Sequence, residues 1–248
     1  MFSLGHIIWI VVSMLLAFTA SIFVSKKFGW SQKVLIVMCC AFFLSESTYV
    51  LISMQEFDMG DKVGYYLKPE YLPLHLCSLQ IVLLFILTFC SSQKLKRGLI
   101  IFMYPTSLSG ATMAILIPSL VVDYGFFNER AFQFFISHMM LVFLGLYMLF
   151  TRPIKFDFRT YLYSLGALGA CLIFAIYINS MFGGPAQELN FWFIAYPPMP
   201  NLPLLNLEHG WYIYVINLAL VGFVLTSLTY VPIVICWFKN RNSVAILQ

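Results

Sequence analysis

Four side chains able to do chemistry fall within or beside long apolar runs of the chain: Glu46, His75, Cys77 and His138. Ionisable groups are costly inside a bilayer, so each one is a candidate functional residue. A thiol near an imidazole suits acyl transfer, because the imidazole takes the thiol proton and the thiolate attacks an ester. The first hypothesis is therefore a Cys nucleophile assisted by a His base.

The spacing of these residues favours His138 as the base for Cys77. His75 is two residues from Cys77, which is about 200° around a helix, so the two side chains point apart. His75 is instead predicted to contact a lipid head group, cap the backbone or orient the site. Glu46 could orient the imidazole, or it could be protonated, and a proton or cation relay through Glu46 and His138 is the competing interpretation.

These groups are predicted to lie at one level in the membrane. Pro73 is expected to open the third helix, since proline is favoured at the first helical position. Counted from the outer ends of their helices, Glu46, Cys77 and His138 then lie at depths of roughly 8–12 Å. This is the level of phospholipid ester carbonyls. The structural alternatives are a small buried thiol at Cys77 and a histidine at 138 that bonds a neighbouring helix.

Composition excludes several classes of protein. Of the 248 residues, 61% are hydrophobic and 10% charged, against about 45–50% and about 25% in soluble domains. A soluble globular protein, a disordered chain and a nucleic-acid partner are therefore excluded. The six cysteines form no CxxC pair, so neither a disulfide framework nor a metal site is predicted. No cofactor is implied.

Seven apolar segments are long enough to cross about 30 Å of hydrocarbon. Their continuous apolar runs favour helices over an alternating barrel. The fold class is therefore all-α, a polytopic membrane protein with one domain over residues 1–248. The segments run from Ile7 to Val24, Val34 to Met54, Leu72 to Phe89, Leu99 to Val121, Phe132 to Phe150, Tyr161 to Phe182 and Trp211 to Phe238.

Charge placement predicts the orientation of the chain. The first segment has Lys26 and Lys27 after it and no basic residue before it, the reverse of a secretory signal peptide. With seven crossings, 11 of the 14 basic residues fall on one side. The positive-inside rule places that side in the cytoplasm. The N-terminus is therefore expected outside and the C-terminus in the cytoplasm.

One outer loop, residues 183–210, is long and rich in proline and aromatic residues. Long loops in compact domains often serve as lids or binding loops, and aromatic side chains suit the lipid–water interface. We predict a lid, the alternative being a loop that rests on the membrane surface. Its aromatic residues are Phe191, Trp192, Phe193 and Tyr196.

Several short patterns together resemble the YwaF-type integral membrane proteins of bacteria, over roughly Leu72 to Pro232. That family is similar to a eukaryotic TMEM-type phospholipid acyltransferase that works without acyl-CoA. The resemblance implies Cys77 and His138 as the catalytic pair, and its patterns include Asn190 and Trp211 as supporting or substrate-binding residues. Ser78 and Gln80, polar residues close to Cys77 in the sequence, are further candidates for that role. The patterns are Leu72–Cys77, Gly110–Pro118, Phe134–His138, Asn190–Phe191 and Gly210–Ile213.

The resulting hypothesis is that the chain is a lipid acyltransferase or lipid hydrolase. It is expected to be a multi-pass protein of the cell membrane, namely the bacterial cytoplasmic membrane. Cys77 would attack an outer-leaflet phospholipid ester with His138 as base, while His75 and Glu46 support the site. A phospholipid or lysophospholipid is the expected substrate, and a lipoprotein amine is a further acceptor. The alternatives are a small proton- or cation-coupled transporter and a non-catalytic lipid-binding membrane protein.

Overall fold

Seven α-helices and one short β-hairpin make up the described part of the chain. The computed structural model describes residues 3–58, 63–119, 125–182, 189–199 and 202–245. The helices are α1 Leu4–Phe28, α2 Gln32–Ser53, α3 Leu76–Phe89, α4 Gln93–Leu116, α5 Glu129–Thr151, α6 Phe158–Phe182 and α7 Trp211–Ala245. The strands β1 Gln55–Asp58 and β2 Val63–Tyr66 pair antiparallel between α2 and α3.

Six of these helices are long and apolar enough to span a membrane, and α3 is a shorter apolar helix. The predicted all-α class with seven apolar helices is confirmed, and the chain is a multi-pass membrane protein. Large apolar side chains such as Phe23, Phe43 and Ile173 point outward and are more than half exposed. Such a surface suits contact with lipid chains rather than water.

The centre of the bundle is the contact between α4 and α5. Met103, Phe135 and Leu144 are fully buried there. Gly145 allows the close approach, because a Cβ at this position would lie 2.7 Å from the Leu108 Cβ. α1 and α2 pack against α5, and α6 and α7 pack against α4. The α4–α5 pair therefore positions every other helix.

Prolines set two features of α4. Pro105 lies inside the helix and has no N–H for the carbonyl of Ile101. The Ser164 hydroxyl of α6 donates to that carbonyl instead, at 2.7 Å. The predicted continuation to Val121 is wrong, because α4 ends at Leu116, two residues before Pro118. A residue that precedes proline is disfavoured in helical conformation.

The predicted start of helix three at Leu72 is also wrong. Pro69–Tyr71 form a 3-10 turn, and the Leu74 N–H donates to the Leu72 carbonyl at 2.7 Å. α3 begins only at Leu76. Pro73 therefore belongs to the tight turn before the helix and does not open it.

The connections of the bundle gather at two ends. We call the end that holds the α1–α2, α3–α4 and α5–α6 connections the basic end, after its lysines and arginines. We call the opposite end, with the β-hairpin and the described residues of 183–210, the loop end. Pro185, Glu188 and Pro200 of the predicted loop lie outside the described residues, as do Asp61, Lys62 and Asp123.

Candidate functional site

The start of α3 lies inside the bundle rather than at its surface. The helix has 14 residues, so it is about 21 Å long and shorter than the about 30 Å of a bilayer core. Its far end, Phe89, joins α4 through the short connection at the basic end. The residues from Lys68 to His75 lead into α3 through a 3-10 turn and a tight turn, without α-helix. Non-helical backbone at membrane depth is tolerated where protein surrounds it or where it lines a water-filled cavity.

Cys77 is the second residue of α3. Its side chain is half-buried and packs against the hydrophobic core. The first N–H that bonds back into the helix is that of Leu79, which donates to the His75 carbonyl at 2.9 Å. Within the described residues, the N–H groups of Leu76, Cys77 and Ser78 donate to no protein acceptor. These donors and the helix dipole favour negative charge beside the thiol.

His138 lies nine residues along α5, which is about 13 Å from the start of that helix. Its Nδ1 lies 2.7 Å from the carbonyl oxygen of Phe134. A carbonyl only accepts, so Nδ1 carries the proton and Nε2 keeps a free lone pair in the neutral ring. The Phe134 ring packs against the imidazole, with centroids 4.2 Å apart. The ring is thus fixed in the tautomer that a general base needs.

His75 connects the start of α3 to α5. It occupies the N-cap position of α3 but makes no side-chain capping bond. Its imidazole is close enough to His138 for the two rings to interact electrostatically. The structure therefore brings together His75, which precedes Cys77 by two residues, and the predicted base on another helix.

The described part of the outer loop covers the start of α3. The Trp192 indole donates to the Leu74 carbonyl at 2.9 Å, and the Phe191 ring meets His75 edge-on at 5.3 Å. Trp192 and Phe193 have φ values of 60° and 57°, a left-handed conformation that is costly for bulky residues. Backbone strain of this kind persists only where the surroundings hold it in place, and it concentrates at functional sites.

Two asparagines hold this cover in place. The Asn179 amide of α6 donates to the Phe191 carbonyl at 3.0 Å and accepts from the Phe191 N–H at 2.9 Å. The Asn190 side chain bonds the backbone of Ala195 and Tyr196. Asn190, predicted as a supporting residue, thus organises the loop.

Aromatic residues at the start of α7 complete the anchoring. The Trp211 indole donates to the Ile194 carbonyl at 2.8 Å. The Tyr214 hydroxyl donates to the Phe193 carbonyl. Trp211, also predicted as a supporting residue, therefore ties the loop to α7 rather than lining the surroundings of Cys77.

Glu46, a further predicted residue, is on α2. Glu46 is half-buried in α2 and has no hydrogen-bond or ion-pair partner within the described residues. Arg130, a cation that could neutralise such a carboxylate, bonds Ser53 and lies over the ring of Tyr71 at 5.1 Å. A role for Glu46 in orienting an imidazole stays a prediction.

Gln80 joins α3 to α4. Its side-chain N–H donates to the Thr106 hydroxyl at 2.8 Å, and its buried Oε1 has no partner within the described residues. The Ser78 hydroxyl forms no hydrogen bond within the described residues. Among the described residues no group of three His, Cys, Asp or Glu side chains is arranged to hold a metal.

His6 is a buried histidine that the sequence analysis did not single out. Its Nε2 lies 2.9 Å from the Ile115 carbonyl, and its ring stacks on Phe126 at 5.1 Å. It ties α1 to the end of α4. Its position directly before the first apolar segment was the available signal, but position alone does not separate a packing histidine from a reactive one.

The fold defines a class, the multi-pass helical membrane proteins. A family model described as the TMEM164 family matches residues 1–230, and the chain belongs to this family. The comparison with curated proteins and that with solved structures each gave no match. The predicted resemblance to a TMEM-type family is confirmed, and the YwaF-type assignment stays a prediction.

Proposed function

We propose that the chain is a membrane acyltransferase or lipid hydrolase in which Cys77 is the nucleophile and His138 the general base. One observation carries the proposal. The thiol of Cys77 lies in the first turn of α3, packed against the hydrophobic core, and His75, two residues earlier, lies near His138. A thiol, a nearby imidazole and free backbone donors are the parts that acyl transfer needs.

The proposed reaction begins with proton transfer from the Cys77 thiol to Nε2 of His138. The sulfur attacks the ester carbonyl carbon of a phospholipid, and the N–H groups of Leu76, Cys77 and Ser78 are the available donors for the resulting oxyanion. When the C–O bond breaks, the leaving alkoxide takes the proton from the imidazolium. The products of this half-reaction are a lysolipid and a thioester on Cys77.

The second half-reaction transfers the acyl group to an acceptor. An acceptor hydroxyl or amine loses its proton to Nε2 of His138 as it attacks the thioester, and the sulfur leaves as a thiolate that then recovers that proton. A lysolipid or lipoprotein acceptor gives transfer, and water gives hydrolysis. We infer that the cover formed by residues 189–199 acts as the lid that limits access of water.

Transport is the second candidate, because Glu46 is half-buried in a membrane helix without a partner within the described residues. Hydroxyl groups deeper in the bundle do not extend this position into a relay. Those of Thr88, Thr106 and Ser107 donate to carbonyls of their own helices. The acyl-transfer proposal therefore has the stronger support.

The test is lipid turnover by the purified protein, followed by mass spectrometry with a phospholipid and an isotopically labelled lysophospholipid. We expect labelled diacyl lipid or free fatty acid from wild type. Cys77→Ala should reduce the rate to background, and His138→Gln should reduce it by about 10²–10⁴-fold. Cys90→Ala, near the other end of the same helix, and His209→Gln, at an exposed position, are matched controls and should stay active.

Two outcomes would contradict the proposal. Equal product from wild type and Cys77→Ala would place the chemistry elsewhere. Product from neither, with proton or cation flux that depends on Glu46 and His138, would favour transport.

A further inference from the structure

A pocket opens at the basic end of the bundle, at the other end of α3 from Cys77. Its volume is about 290 Å³. Residues of the α1–α2 and α5–α6 connections and of the starts of α2 and α4 line its mouth: Trp30, Gln32, Gln93, Lys96, Arg97 and Pro153. Its inner wall is apolar, with Leu35, Leu87 and Ile100. A pocket that is polar at its mouth and apolar within suits an amphipathic ligand.

The mouth of the pocket carries uncompensated positive charge. Within the described residues, Lys96 and Arg97 form no ion pair. The sole described carboxylate at this end is Asp157, which accepts the Thr160 N–H at 3.0 Å at the start of α6. Further cations occupy the surrounding connections and helix ends: Lys26, Lys27, Lys33, Lys94, Arg152, Lys155 and Arg159. The local field therefore favours an anion at Lys96 and Arg97.

The pocket is built on fixed elements rather than on a loose surface. The Gln32 side-chain N–H donates to the Thr88 carbonyl at 3.2 Å, which holds α2 against α3. Trp30 stacks on Tyr147, with ring centroids 5.4 Å apart. Tyr147 accepts the Ser31 N–H at 2.9 Å and donates to the Gly29 carbonyl. The side of the mouth formed by the α1–α2 connection and the start of α2 is therefore held before a ligand arrives.

The surroundings of the mouth point to a lipid rather than a soluble anion. Phe89 and Leu95, at the facing ends of α3 and α4, are 61% and 46% exposed, which suits contact with the bilayer. If the phosphate of a phospholipid lay at the mouth, its glycerol and acyl chains would lie beside the apolar wall of the pocket and the surrounding lipid. Arg forms paired hydrogen bonds to phosphate oxygens, and Lys adds a second charge.

We propose that this pocket binds the phosphate head group of an anionic phospholipid from the leaflet at the basic end. Basic pockets between membrane helices are a recognised way of holding such head groups. Lipid binding at this pocket does not depend on any reaction at Cys77.

The test measures thermal unfolding of the full chain in detergent and bound lipid by native mass spectrometry. Three probes are used: dioleoylphosphatidylglycerol, dioleoylphosphatidylcholine and inorganic phosphate. We expect phosphatidylglycerol to raise Tm by several degrees and to remain bound as one lipid, with no such effect from the other two. The variant Lys96→Gln/Arg97→Gln should lose at least about tenfold in apparent affinity.

The matched control is Lys26→Gln/Lys27→Gln, which removes the same charge from the same end without touching the pocket; it should bind as wild type does. Arg97→Gln alone, at an exposed position, is the mildest variant and should still weaken binding. Equal losses in the two double variants would overturn the proposal in favour of diffuse attraction. An equal Tm rise with phosphatidylcholine, or with inorganic phosphate that displaces the lipid, would overturn it as well.

Discussion

Backbone carbonyls accept many of the hydrogen bonds that buried side chains donate between elements. His6 bonds the Ile115 carbonyl near the end of α4, and Ser164 bonds the carbonyl freed by Pro105. Trp192 bonds the Leu74 carbonyl in the turn before α3. Inside a membrane no water is present to donate a hydrogen bond to an unpaired carbonyl. These side chains therefore stabilise the places where helices end or are interrupted.

Replacing His6 by Phe should destabilise the protein. The ring could still stack on Phe126, but the Ile115 carbonyl would lose its buried donor. An unpaired buried group costs about 1–3 kcal/mol, so we expect a lower Tm in thermal unfolding in detergent. His209→Phe, at an exposed position, is the control. An unchanged Tm for His6→Phe would show that this hydrogen bond contributes nothing.

At the scale of elements, the closest approach in the bundle is between α4 and α5. A Cβ at Gly145 would also lie 3.0 Å from the Cα and N of Leu108, and backbone atoms cannot move aside as a flexible side chain can. Both helices also carry residues of the candidate site or its surroundings, namely His138 on α5 and Thr106, which holds Gln80, on α4. Their separation therefore matters to the site as well as to stability.

Gly145→Ala should separate α4 from α5. We expect a loss of about 1–3 kcal/mol in the free energy of unfolding, as in other overpacked cores, seen as a lower Tm. Gly169→Ala is the matched control, because a Cβ there meets nothing within 4 Å, and alanine favours helix. If the two variants unfold at the same temperature, the α4–α5 contact is more adaptable than its geometry indicates.

At the scale of the whole molecule, the sequence predicts the helix count well but not where every helix begins and ends. Apolar run length identifies the long spans directly, since each reflects the thickness of the bilayer. The start of α3 was misplaced because Leu72, Pro73 and Leu74 are apolar whether or not they are helical. Hydropathy measures burial in lipid or protein alike and does not report the tight turn that precedes Leu76.

The site itself depends on contacts between distant parts of the chain. The proximity of His75 to His138 and the hydrogen bond from Trp192 to the Leu74 carbonyl join segments that no local pattern relates. Cys77 and His138 remain predicted as the catalytic pair. Asn190 and Trp211 were singled out by resemblance, and the structure places both in the anchoring of the loop.

The orientation of the bundle is a prediction at this scale. The three basic connections share one end, so we expect that end in the cytoplasm under the positive-inside rule. A fluorescent protein that matures only in the cytoplasm should fluoresce when fused after Gln248 and stay dark when fused before Met1. Alkaline phosphatase fusions should give the opposite pattern. Fluorescence from the N-terminal fusion alone would invert the assignment.

The short length of α3 has a consequence for how the chain enters the membrane. Only three residues, 90–92, separate α3 from α4, and Gln80 bonds Thr106 across the pair. A 14-residue helix is too short for the insertion machinery to release into lipid as a full crossing by itself. α3 should therefore integrate together with α4 as one helical hairpin. Cys77 would then enter the membrane already packed, through α3, against α4, one of the two helices at the centre of the bundle.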